Sequence, residues 1–126
     1  MAILSEESKI GSQNLEWVKY KLMNDASTDE TTSDEVDVRN AKAVTLAVEA
    51  NTGVSAGVVK LEGAVRSGYA GTWIEMGSLT INAASKLFTV TIDAGDANGL
   101  PLMYIRARIE TAISGGTIDV YAVVQK

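Results

Sequence analysis

The sequence predicts an all-β chain: an antiparallel β-sandwich, jelly-roll-like, preceded by an extended N-terminal arm. Three observations carry that expectation. Apolar residues recur at every second position through most of residues 42–126, the period of a strand with one buried face. Glycine-centred turn signals divide these runs at spacings of about ten to fifteen residues. No stretch carries the 3.6-residue apolar period of an amphipathic helix. Seven or eight short strands arranged this way bury one face each by packing two antiparallel sheets together. No repeat of about 20–50 residues suggests a solenoid or propeller.

Taken in order, residues 1–16 read as the arm and 17–126 as the sandwich domain. The arm is polar, with large aliphatic residues only at Ile3, Leu4, Ile10 and Leu15 and a break at Gly11-Ser12. Residues 17–23 alternate well enough for a strand anchored by Trp17, a short helix being the alternative. Residues 24–37 carry six acids and no base and are expected to form the loop most exposed to water. Val44, Leu46 and Val48 mark the next strand, which ends at the turn Asn51-Thr52-Gly53. After Gly57, Val59, Leu61 and Val65 face the core while Lys60, Glu62 and Arg66 face out. The turn 67–71 leads into a returning strand at 72–76, and the two strands form a hairpin. Phe88, Val90 and Ile92 line one face of the following strand, and residues 93–101 form a loop in which Asn98-Gly99 marks a turn. Met103, Ile105, Ala107 and Ile109 are buried in the strand after it. Ser114-Gly115-Gly116 then turns into a last strand with Ile118, Val120, Ala122 and Val124 inward, and these two strands are expected to pair as a second hairpin.

Composition narrows the function. The 126 residues suit one domain with a core of its own. Zero cysteines exclude disulfides, zinc ribbons and thiol nucleophiles, and zero histidines remove the commonest general base and metal ligand. A net charge of −5 makes nucleic acid an unexpected partner. The acidity is confined to residues 1–63, with 11 acids and 6 bases, against 5 and 5 in residues 64–126. No apolar run is long enough for a membrane helix, and the N-terminus has acids where a signal peptide has lysines. No membrane association is expected.

The search for chemistry returns little. Neither G-x-S-x-G nor G-x-x-x-x-G-K-[ST] occurs, so nucleophilic hydrolysis and phosphate cradling have no motif. Clustered Asp25, Asp29, Asp34 and Asp37 lack the pattern of a calcium loop. Glu49, Glu62, Glu75 and Glu110 lie on predicted strands and offer the one conceivable carboxylate pair, but solvated glutamates are their ordinary role. No catalytic residue, metal or cofactor is therefore expected. Arg106 and Arg108 project from one strand face, with Arg66 a candidate third member of a basic stripe. Such a stripe would contact carboxylates of a partner, or pair across strands with Glu62 or Glu110. Tyr69 and Trp73 flank the first hairpin tip, placed either to stack on a sugar or to cap the core.

The run Val58-Val59-Lys60-Leu61-Glu62-Gly63, then Gly71-Thr72-Trp73-Ile74-Glu75-Met76-Gly77, Tyr104-Ile105-Arg106-Ala107-Arg108 and Gly115-Gly116-Thr117-Ile118-Asp119-Val120-Tyr121 resembles small tailed-bacteriophage virion proteins. The resemblance spans about residues 42–126 and implies a non-enzymatic subunit that decorates or cements a capsid. It implies as partners the major capsid protein and further copies of itself, as a homotrimer, and a location on the virion surface after synthesis in the bacterial cytoplasm. A tail or fibre subunit, or a carbohydrate-binding sandwich for receptor attachment, is the alternative. The expected contact residues are Ile3, Leu4 and Ile10 of the arm, with Arg66, Arg106, Arg108, Tyr69 and Trp73.

Overall fold

The computed structural model describes residues 3–4, 17–39, 41–93 and 103–125. The described residues form nine strands: β1 (Ile3–Leu4), β2 (Trp17–Ala26), β3 (Val36–Asp37), β4 (Ala43–Ala50), β5 (Ala56–Ala64), β6 (Ile74–Thr80), β7 (Lys86–Asp93), β8 (Tyr104–Ser114) and β9 (Ile118–Gln125). They form two antiparallel sheets, β1-β2-β9-β4-β7 and β3-β8-β5-β6. Four of the pairs are nested in the sequence: β5 with β6, β4 with β7, β3 with β8 and β2 with β9. They alternate between the sheets, as when one long hairpin is rolled up into a jelly roll.

The period-two pattern explains the core. In β9 burial alternates without a break, and Ile118, Val120, Ala122 and Val124 are fully enclosed. Val44, Leu46 and Val48 of β4 and Ile105, Ala107 and Ile109 of β8 meet them from the neighbouring strand and the opposite sheet. Each large aliphatic side chain enclosed in this way contributes about 1.5–3 kcal/mol relative to exposure.

Residues 17–23 are strand rather than helix, and the strand runs on to Ala26. The expected second hairpin is not formed: β8 and β9 lie in different sheets, and Ser114-Gly115-Gly116 is a corner. Here the β4–β5 turn and the β8–β9 turn lie against each other, both changing sheet. Asn51 donates its N–H to the Thr117 carbonyl (3.1 Å) and its side-chain amide to the Thr117 hydroxyl (3.0 Å). Ser55 donates to the Ser114 carbonyl (2.9 Å). Gly53 and Gly115 have φ of 93° and 84°, and a Cβ on either would run into the other's carbonyl oxygen.

Two residues expected in the core are exposed, Val65 at 63% and Met103 at 43%. Both lie just past a strand end, Val65 beyond Ala64 and Met103 before Tyr104, where alternation no longer sets orientation. A register irregularity between Leu61 and Glu62 adds to the displacement at β5. The returning strand of the first hairpin is β6 at 74–80, later than the expected 72–76, because residues 65–73 form a longer turn.

The acidic segment is not the open loop its composition suggests. Residues 27–38 run along the free edge of β8: Ser27 accepts from Ile113 (2.8 Å) and Glu30 donates to Ile109 (2.7 Å). Ser33 donates to Ala107 (2.9 Å), and Val38 donates to Met103 (2.8 Å). Val36 and Val38 are buried and anchor its end in the core.

Candidate functional site

With Ile105, Ala107 and Ile109 inward, β8 turns Arg106, Arg108 and Glu110 onto the outer face of its sheet, as its alternation dictates. On β5 the residues opposite Arg106 and Arg108 are Glu62 and Lys60. Glu62 is 5% exposed and sits between the two arginines: Arg106 Nε donates to its Oε1 (3.1 Å) and Arg108 Nε to its Oε2 (2.7 Å). Arg108 also reaches Glu30 (3.1 Å), so the acidic segment that could have met another copy's arginines meets this chain's own. Lys60 bridges Glu75 and Glu110, 2.6 Å to each. The basic stripe is therefore real for Arg106 and Arg108, and it is consumed by cross-strand pairing.

Electrostatics follow from that geometry. The hydrogen bond that Arg108 donates to Glu62 raises its guanidinium above its already high value, against the opposing effect of burial. Hydrogen bonds to Glu110 and then Glu75 raise the Lys60 ammonium likewise. Three of the four strand glutamates thus hold cations within this sheet. Glu49 lies on β4 in the other sheet. Among the described residues no three acidic side chains converge on a cation position, and Asp37 is held by Arg39 (2.6 Å).

The hairpin aromatics separate. Trp73 is buried, but on the outer face: Arg106 lies 4.3 Å over its ring, and its indole N–H donates to the Tyr69 carbonyl (2.9 Å). The ring face that Arg106 covers is not offered to a sugar. Tyr69 is partly exposed, with Arg66 5.6 Å from its ring centroid, so Arg66 belongs to the hairpin tip rather than to the stripe. Glu35 accepts from the Ser67 hydroxyl and the Gly68 N–H, both at 2.8 Å, and ties the acidic segment to this tip. Ile3 and Leu4 form β1, in register with Tyr20 and Lys19 of β2. Ile10 lies outside the described residues.

The sequence reading missed a hollow of about 180 Å³ at the same tip, lined by Gly63, Ala64, Val65, Tyr69, Thr72 and Ile74. Its signal was the strand-end position of Val65 and Ile74, where an apolar residue need not point inward.

The fold defines the class: an all-β, antiparallel β-sandwich of jelly-roll type. The SPBc2 prophage-derived protein YomS is similar in fold, with a TM-score of 0.60 and 9% identity over 94% of this chain and 100% of that one. So are the K1 and K2 cleaved adhesin domains of Lys-gingipain, the K1 domain from Porphyromonas gingivalis W83. K1 has a TM-score of 0.55 and 15% identity over 97% of this chain and 80% of its own; K2 has 0.54 and 14% over 98% and 81%. At these identities the likeness shows the fold. No protein family and no curated protein matches the sequence.

Proposed function

We propose that this protein is a structural subunit of a tailed-bacteriophage virion that decorates or cements the capsid by binding its outer surface. The observation that carries the reading is the likeness in fold to a prophage-derived protein over that protein's whole length. It is supported by the phage-type strand phrases of residues 42–126, and by a sheet face whose charges are spent on rigidity. The partner is the major capsid protein, copies associate as a homotrimer, and the protein resides on the virion. It acts without catalysis or cofactor.

The test is co-sedimentation of the purified protein with undecorated heads of the phage that encodes it. Saturable binding is expected, as is its loss on deletion of residues 1–16 with the circular dichroism of the sandwich intact. Protein that stays in the supernatant at micromolar concentration overturns the reading. The adhesin-domain likeness makes a tail or fibre subunit the alternative, which binding to host cells in place of heads would select.

A further inference from the structure

Among the described residues, the exposed large hydrophobics are Val65, Tyr69, Ile74, Leu87 and Met103. Four of them gather at one end of the β3-β8-β5-β6 sheet. Val65 and Ile74 flank the base of the β5–β6 turn, Tyr69 stands over it, and the Met103 N–H donates to the Ala64 carbonyl (3.1 Å). The hollow that Val65, Tyr69 and Ile74 border, about 180 Å³, is well below the roughly 300 Å³ at which small-molecule sites begin. It suits a single aliphatic side chain.

Leu87 is the fifth, 59% exposed, at the start of β7. β6 runs from Ile74 at the hollow to Thr80, and residues 81–85 then lead directly into β7. Leu87 therefore lies at the other end of the sandwich, about 20 Å away along the strand direction, and on the other sheet. Its cross-strand neighbour is Glu49, an exposed acid on the same outer face. Lys86 is turned over the Phe88 ring (5.3 Å). The hollow has Arg66 at its edge. An exposed leucine beside an acid, at the rim of a concavity that both help to line, and an apolar hollow beside a base thus sit on opposite ends of one molecule.

We propose that two copies of this chain associate head to tail, Leu87 of one seated in the Val65–Tyr69–Ile74 hollow of the next, with Glu49 meeting Arg66. The contact is heterologous, because each copy offers a different surface on its two sides. A ring of three requires such a contact and cannot be built from self-complementary ones. The proposal thus gives an interface to the homotrimer of the preceding reading and is independent of what the ring is attached to.

The experiment is the molar mass by light scattering across a dilution series, with folding of each variant checked by near-ultraviolet circular dichroism. Wild type is expected to rise well above the 13.3 kDa of one chain. Leu87→Glu lacks the leucine and Ile74→Glu lacks the hollow, and each alone is expected to stay at one chain's mass. Mixed in equal amounts, they retain one intact leucine and one intact hollow, so they form a species of two chains and nothing larger. Arg66→Glu is expected to weaken association at least tenfold, and Glu49→Arg added to it to restore most of the loss. Wild type that remains one chain at every concentration overturns the proposal. So does a Leu87→Glu variant that associates like wild type, or a mixture that yields no two-chain species. A wild type of one chain's mass also removes the homotrimer from the preceding reading, whereas capsid binding is read separately by co-sedimentation.

Discussion

Glu62 shows how a residue that looks like surface becomes structural. A carboxylate only 5% exposed would carry a desolvation cost of several kcal/mol by itself, and two guanidinium groups offset it through charge-assisted hydrogen bonds. Glu62→Ala leaves both arginines facing each other, and it should lower unfolding free energy in urea by about 3 kcal/mol, the low end for buried pairs because the arginines keep some solvent. Arg106→Ala should uncover the Trp73 ring and shift its emission to longer wavelength, with less loss of stability than Glu62→Ala. Lys60 adds a pH dependence. Its ammonium is raised above the ordinary 10.5 by Glu110 and Glu75, so its contribution is complete below that pH and is lost as pH climbs through the raised value. Lys60→Gln should therefore flatten the fall of the thermal midpoint above about pH 10.5 relative to wild type. The facing of Arg106 and Arg108 was legible in the sequence because two residues make one strand period. The burial of Glu62 between them was not, since it depends on which strand lies alongside.

At the scale of elements, the two glycine corners carry the connection between the sheets. Gly115 has φ of 84° and its α-carbon faces the Gly53 carbonyl, so Gly115→Ala adds both left-handed strain and a backbone collision. The expected loss is about 3 kcal/mol, seen as a fall of about 10 °C in the thermal midpoint. Ser114-Gly115-Gly116 has the same local chemistry as a hairpin turn, so the sequence alone predicts that its flanking strands pair. A turn signal says that the chain reverses. Whether the returning strand lies beside its predecessor or crosses to the opposite sheet is decided by the strands already there, here β5 beside β8 and β4 beside β9. The acidic segment departs from the loop its composition suggests for a related reason: its side chains are polar, but its backbone completes the edge of β8, a role that composition does not register.

The whole molecule is tied together by pairings far apart in sequence. β2 pairs with β9 from Trp17↔Gln125 to Ala26↔Ile118, so almost the whole chain is closed into loops before that sheet is complete. Contacts of this kind make folding slow. Refolding followed by tryptophan fluorescence should be complete in milliseconds to seconds, orders of magnitude slower than helical bundles of this size, and a microsecond phase carrying the full amplitude would contradict the topology.

The sequence by itself determined the fold class and the inward faces of β4, β8 and β9, because the two-residue period links neighbouring positions to opposite faces whatever the partner strand. It also presented the candidate arginines side by side. Which strands are neighbours is settled only by the packed fold, and with that the pairing of Arg106 and Arg108 with Glu62, the covering of Trp73, and the gathering of Val65, Tyr69 and Ile74 around one hollow. Those outcomes rest on contacts between residues tens of positions apart and on orientation at strand ends, where the alternation that makes a strand readable has stopped.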